Sequence, residues 1–316
     1  MRTVKVYRNG VSAGTNSGKT GGDVGRRSQV TGWSKGAARR NLQFLYSVDA
    51  SRLTGWGFAV TLTLKHCPPD ADAWQAVRRS WVERMRRLGM LRLHWVTEWQ
   101  RRGVPHLHGA VFFPDPRSPG EQRGPCALGW GDRRGQTYTD YPSVLALKHL
   151  IIHHWIQSAG DYIAGARGQQ IDDIEGFRGW ALYLARHASR GVNHYQRRPE
   201  SVPQGWTKTG RLWGYAGEWP RDDALSFTLD DPGWYAFRRM VRSWAKADAR
   251  SRLAAIPPGG KGRQGAQRSL GYARRLLACG NPDLSPVRGV SEWIDRDDSL
   301  RFIHVLAALG YEVESN

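Results

Sequence analysis

The stretch from Arg92 to Phe113 restricts the possible folds of this chain more than any other. Two alternating runs, Arg92 to Gln100 and Val104 to Phe113, flank Arg101-Arg102-Gly103. A three-residue connection ending in a glycine with positive φ is a common hairpin loop. With that loop, residues whose numbers sum to 204 face each other, so Glu98 stands opposite His106. Alternation puts His106 and His108 on one face of their strand. Facing residues lie about 4.5–5.5 Å apart at Cβ, so Glu98, His106 and His108 can converge on one cation unless a bulge at Gly103 changes the register. An isolated His-x-His more often bonds within its own sheet. The carboxylate at the matching cross-strand position is what points to a metal. Two nitrogens and one oxygen leave positions open for water and substrate, as a catalytic metal requires.

Other segments supply the rest of an α+β domain. Phe58 to Leu64 alternates large apolar residues with smaller ones and reads as a core strand that Pro68 and Pro69 bring to an end. Helical spacing follows in Ala71 to Leu88, where Trp74, Val77, Trp81, Met85 and Leu88 share a face. Helices are also expected over 34–48, 143–157 and 175–189, a long surface loop from Pro114 to about Tyr141, and a short strand closing the sheet in Thr209 to Gly217. Residues 1–32 read as a flexible basic arm, 33–220 as the catalytic domain and 221–316 as a basic helical region with a linker near 257–270. In that last region Trp234, Phe237, Val241 and Trp244 share a helix face against Arg238, Arg239, Arg242 and Lys246. Such a helix serves as a duplex grip, a helicase dock or a solvated face. Ala13 to Thr20 fits a loose phosphate-loop pattern, but no strong strand and helix frame it, and a flexible arm touching DNA is the preferred reading. His153-His154 fall in an apolar helical pattern as core or surface residues.

Charge narrows the function. The 47 Lys and Arg against 28 Asp and Glu give a net charge of +19 and a pI near 10.5, so the chain seeks polyanions. Tryptophans interleaved with arginines, as in Trp95 to Arg102, suit stacking and phosphate contacts on a single strand. Cys67, Cys126 and Cys279 have no paired spacing, so neither a zinc knuckle nor a disulfide framework is indicated and a reducing cytoplasm fits. No apolar run approaches the roughly 18 residues of a membrane span, and the N-terminus has no signal-peptide pattern, so no membrane partner is expected.

A second chemical segment is Gly179 to Arg190. On a helix, Tyr183, Arg186, His187 and Arg190 form one polar stripe beside an apolar stripe of Trp180, Leu184 and Ala188. A phenol oxygen there could attack a phosphodiester while the cation and arginines neutralise charge growing on the phosphate. A lone tyrosine on a helix is more often a core residue; the polar neighbours and the metal ligands favour the nucleophile.

Together these segments resemble the HUH endonucleases, specifically rolling-circle replication initiators of single-stranded DNA phages and small plasmids. Phe58 to Leu64 is similar to the family's first motif. Glu98 to Phe113, through Pro105-His106-Leu107-His108-Gly109, resembles the second, and Tyr183-Leu184-Ala185-Arg186-His187 the third. Gly210-Arg211-Leu212-Trp213-Gly214 is similar to a stretch in phage initiators. The resemblance spans about residues 33 to 220. It implies an antiparallel sheet of about five strands with helices packed on it, the RRM-like palm of these nucleases. It also implies Mg²⁺ or Mn²⁺ bound by Glu98, His106 and His108, with Tyr183 as nucleophile. The substrate that the resemblance implies is single-stranded or hairpin origin DNA in a bacterial host, with a host helicase as a further expected partner. Thr61, Thr63, Arg101, Arg102, Arg211 and Trp213 are the expected DNA contacts.

Where the family usually has lysine, this chain has Arg186 or Arg190, which implies an electrostatic role, because arginine does not give up a proton near neutral pH. The position of a second tyrosine holds His187, which favours a single nucleophile with Tyr195 in reserve. Two alternatives keep the chemistry, a transposase and a mobilisation relaxase. A third, a regulator that binds DNA without cutting, predicts salt-dependent binding indifferent to chelator.

Overall fold

The hairpin forms with the register its loop requires. In the computed structural model β4 (Arg92–Trp99) and β5 (Pro105–Phe113) pair antiparallel with Glu98 opposite His106 and Val96 opposite His108. Gly103 takes φ +78°, and Gln100 N–H donates to the Val104 carbonyl at 2.9 Å across the turn. The structure describes residues 1–14, 29–115, 130–131, 137–138, 143–176, 179–180, 183, 192, 194–277 and 289–316. Two units make up the chain: Gly25–Leu42 with Ala50–Pro220, and Met1–Val24 with Gln43–Asp49 and Arg221–Asn316.

In the first unit the hairpin lies inside a five-stranded antiparallel sheet. Beside β5 runs β3 (Trp56–Thr63), then β8 (Gln170–Ile174); beside β4 runs β9 (Trp213–Gly217). Alternation separates two jobs. Phe58, Val60, Leu62, Leu93, Trp95, Leu107, Val111 and Phe113 project to one face. There they pack on α2 (Ala71–Arg87) and α3 (Val144–Ala159) through Trp74, Trp81, Met85, Leu147, Ile151 and Trp155. Asp70 starts α2 by accepting the Ala73 N–H, and Ser143 does the same for α3 at Ala146. The buried indoles meet edge to face, and Trp74, Trp81 and Trp155 each find an oxygen acceptor. With this face filled, the opposite one carries Thr61, Thr63, His94, Val96, Glu98, His106 and His108.

A short pair, β6 (Trp130–Gly131) and β7 (Thr137–Tyr138), falls within the stretch expected to be a surface loop. The helix expected near 34–48 is α1 (Lys35–Ser47). In the stretch expected as a helix over 175–189, Gly176, Gly179, Trp180 and Tyr183 are helical. Sequence reasoning missed β8, whose Gln-Ile-Asp-Asp-Ile lacks a clean two-residue period because it is a largely solvated edge strand.

The second unit corrects two expectations. Instead of a flexible arm, residues 2–13 form β1 (Arg2–Val6) and β2 (Val11–Ala13), held by burial of Val4, Val6, Val11 and Ala13. The rest of the loose phosphate-loop pattern, from Thr15, is outside the described residues. Nor is the C-terminal region helical alone. Strands β10 (Leu225–Leu229), β11 (Val290–Glu292) and β12 (Val313–Ser315) join β1 and β2 in a sheet of order β11-β2-β1-β10-β12. Against it pack Trp234, Phe237 and Val241 of α4 (Asp231–Ala254) and Ile303 and Leu306 of α6 (Arg296–Ala308). The expected linker is a turn over Pro257 to Gly262, whereas Arg263 onward is α5 (Arg263–Leu277), fixed to α4 by Leu270 and Ala273 against Ala249 and Leu253.

The α4–α5 hairpin concentrates positive charge. Between 231 and 277 there are 11 Lys and Arg and 2 Asp and Glu. Arg239, Lys246 and Arg250 recur at helical spacing on one side of α4. On α5 the exposed Arg268 and Arg275 flank Tyr272, which is 55% exposed. No ion pair reaches these five cations among the described residues. No helix among those residues is long and apolar enough to cross a membrane.

Candidate active site

The polar face of the first sheet brings the three expected ligands together. Glu98, His106 and His108 are all buried, and one ligand atom from each lies within 4.8 Å of the others. His106 Nε2 and His108 Nε2 face each other at 2.7 Å, and His108 Nε2 is 3.5 Å from Glu98 Oε2. Two ring nitrogens this close cannot both direct unshared lone pairs into the gap, so a proton or a cation must lie between them. Thr61 Oγ1 sits 2.9 Å from His108 Nδ1. A proton on Nδ1 given to that hydroxyl leaves Nε2 free to ligate, the usual arrangement behind a metal-bound imidazole. Two imidazoles and a carboxylate converging in this way fit a divalent cation with open coordination positions.

Behind Glu98 stands a residue that sequence reasoning missed. Arg197 Nε donates to Glu98 Oε1 at 2.6 Å, both side chains are 1% exposed or less, and the guanidinium lies 4.3 Å from the Trp33 ring centre. Arg197 thus holds one carboxylate oxygen and leaves the other toward the imidazoles. Its neighbour Gln196 brings an amide nitrogen within 3.2 Å of His106 Nε2. Both come from an irregular stretch whose sequence carries no periodic signal.

Tyr183 projects onto the same sheet face. Its hydroxyl is 2.9 Å from Nδ1 of His94, which lies four residues before Glu98 on β4 and therefore on the same side. Asn41 Oδ1, from α1, is 2.7 Å from the other ring nitrogen of His94. His94, Asn41 and Tyr183 are 1%, 3% and 3% exposed. Trp180, one turn earlier, stacks on the Tyr183 ring at 5.4 Å and packs against Phe112 and Trp219. Burial pushes the Tyr183 phenol above the ordinary tyrosine range; the Glu98 carboxylate adds to the rise and Arg197 opposes it. His94 was legible in principle, as the third polar side chain in the alternation that carries Glu98.

The remaining candidates divide. Thr61 touches His108, and the Trp213 ring lies 6.5 Å from that of His94, so both border the site. Thr63 Oγ1 donates to the Gly168 carbonyl at 3.2 Å. Arg102 donates to the carbonyls of Leu64 and Lys65, securing the hairpin end to the end of β3. The Arg101 guanidinium lies over the ring of Tyr195, which is 45% exposed and also neighbours the His194 ring. Arg211 is exposed. Arg186, His187 and Arg190 are outside the described residues.

Comparison with known proteins gives one consistent result. Residues 57–190 match the family described as replication-associated protein ORF2/gene 2 protein, a span that includes all three ligand candidates and Tyr183. Over 315 residues the chain is 39% identical to the replication-associated protein of Pseudomonas phage Pf3, covering 99% of each. Over 322 residues it is 42% identical to a Xylella fastidiosa protein provisionally named a replication protein, covering 100% of both. No solved structure matches.

Proposed function

The chain belongs to the replication-associated protein ORF2/gene 2 protein family, and on that basis we propose that it is a metal-dependent nickase and strand transferase that initiates rolling-circle replication. In this reading it cuts one strand at the origin, in single-stranded or hairpin form, and stays attached through a 5′-phosphotyrosine. The observation that carries it is the sharing of one sheet face by Glu98, His106, His108 and the Tyr183 hydroxyl.

Each group has a task. Glu98, His106 and His108 hold Mn²⁺ or Mg²⁺, which when bound neutralises charge on the scissile phosphate. Tyr183 supplies the attacking oxygen, and Arg186 and Arg190, which follow it in sequence, are assigned to neutralise charge on the phosphate. Arg197 fixes the rotamer of Glu98, while Thr61 fixes the ring of His108. At 3% exposure the phenol is covered, so a phosphate reaches it only after the strand displaces the side chains above it. Arg101, Arg211 and Trp213 contact the strand around the cut. The basic α4–α5 hairpin grips duplex DNA: cations recurring along a helix suit the phosphates of a double helix, whereas a single strand needs a groove lined by successive aromatics.

A labelled origin single strand incubated with the protein and Mn²⁺ gives a covalent adduct that survives denaturing electrophoresis. EDTA, His106→Ala or Tyr183→Phe abolishes the adduct. Adduct formation by Tyr183→Phe would overturn the assignment of the nucleophile, and cleavage at full rate in EDTA would overturn that of the metal.

A further inference from the structure

Resting on the reading of Tyr183 as nucleophile, we infer that His94 is the general base that removes the phenolic proton, and that Asn41 is the positioning residue that keeps its imidazole in the tautomer able to do so.

The hydrogen-bond chain fixes the protons. An amide oxygen only accepts, so Asn41 Oδ1, at 2.7 Å, requires the hydrogen on His94 Nε2. In the neutral ring Nδ1 then holds the lone pair, and it faces the Tyr183 hydroxyl at 2.9 Å. Nucleophile, base and orienting group thus stand in line, each within hydrogen-bond reach of the next. All three are buried and belong to different elements: Asn41 to α1, His94 to β4 and Tyr183 to a helical turn. The rings of Tyr183 and Trp213 flank the imidazole, which limits its rotation.

A base is needed here. Tyr183 is buried, and a neutral phenol is a poor nucleophile toward a phosphodiester. The Tyr183 proton passes to His94 Nδ1 and the Oη–P bond forms. The P–O3′ bond breaks, and the leaving oxygen takes up a proton from solvent to become a 3′ hydroxyl. The imidazolium then loses its extra proton to solvent. Rejoining runs in reverse, with a 3′ hydroxyl attacking and the phenol leaving as it regains a proton from His94. Nothing is oxidised or reduced, and no further reactant is consumed.

The test compares the intact protein with His94→Gln, which still offers the phenol a hydrogen-bond acceptor but cannot take its proton. Single-turnover nicking falls by about 10²–10⁴-fold, the usual contribution of a general base, while binding of the same oligonucleotide in EDTA is unchanged. A fluorinated tyrosine at position 183, whose phenol ionises more readily, restores most of the lost rate in His94→Gln and adds little to the unsubstituted protein. Asn41→Asp, which still accepts from Nε2–H, nicks within a few-fold of the parent. Asn41→Leu loses about tenfold or more and is also rescued by the fluorinated tyrosine. Undiminished nicking by His94→Gln overturns the relay, as does a loss that the fluorinated residue leaves unrepaired. Neither result touches the nucleophile, whose own failure reads out separately as an adduct formed by Tyr183→Phe.

Discussion

Replacing Arg197 with methionine tests how the Glu98 carboxylate is held. The Arg197–Glu98 pair is 2.6 Å long with side chains 1% and 0% exposed, so water neither screens it nor replaces it. Methionine roughly preserves the volume of the arginine stem but leaves Glu98 buried and without its guanidinium. Removing one partner of such a pair costs about 3–5 kcal/mol. For a cooperative unit of this size, that lowers the melting temperature by roughly 6–20 °C. A cation at the imidazoles supplies the missing positive charge, so added Mn²⁺ stabilises Arg197→Met more than it stabilises the parent. The gain follows the logarithm of metal concentration over Kd, at about 1.4 kcal/mol for each tenfold. The assay is scanning calorimetry of both proteins in EDTA and across a Mn²⁺ series. If the variant loses less than about 1 kcal/mol in EDTA, the pair is not worth what its burial implies. If it loses the full amount and Mn²⁺ restores no more than in the parent, the carboxylate is not a ligand.

Two further predictions concern the phenol and the basic hairpin. Because the Tyr183 phenol is raised above its unfolded value of 10.0, its contribution to stability is complete below about pH 10 and is lost as pH climbs through the higher folded value. Tyr183→Phe therefore flattens the alkaline decline of unfolding free energy by up to about 1.4 kcal/mol per pH unit, measured by urea denaturation, and an unchanged slope contradicts burial of a neutral phenol. Replacing Arg239, Lys246 and Arg250 by glutamine weakens duplex binding and reduces the salt slope by about 0.9 for each phosphate no longer neutralised, without altering single-turnover nicking of a short single strand. A slope equal to the parent's assigns duplex binding elsewhere.

The sequence was most legible where backbone periodicity and side-chain chemistry coincide. Strand alternation and a three-residue loop sufficed to place Glu98 opposite His106, and the structure has that pairing. Helical spacing of apolar residues placed α2 and α3 within a few residues, and in the structure each helix starts at a local cap, Asp70 or Ser143. Tertiary partners were another matter. Arg197 reaches Glu98 across 99 positions, and Asn41 reaches His94 across 53, distances over which no periodic pattern carries information. The first strands were hidden for a similar reason. Arg2 to Val6 is short, and its partner β10 lies more than 200 residues later, so the alternation of Val4 and Val6 gains meaning only once that partner is known.

Strands β4 and β5 place core side chains at odd positions and reactive ones at even positions. Substitution can therefore tune either set without disturbing the other, within limits of size. Chain length has no such latitude: deleting one residue inside either strand would turn its imidazoles or its carboxylate toward the tryptophans and expose leucine and valine in their place. Relatives that keep this architecture should accordingly vary in residue type along the hairpin while keeping its strand lengths fixed.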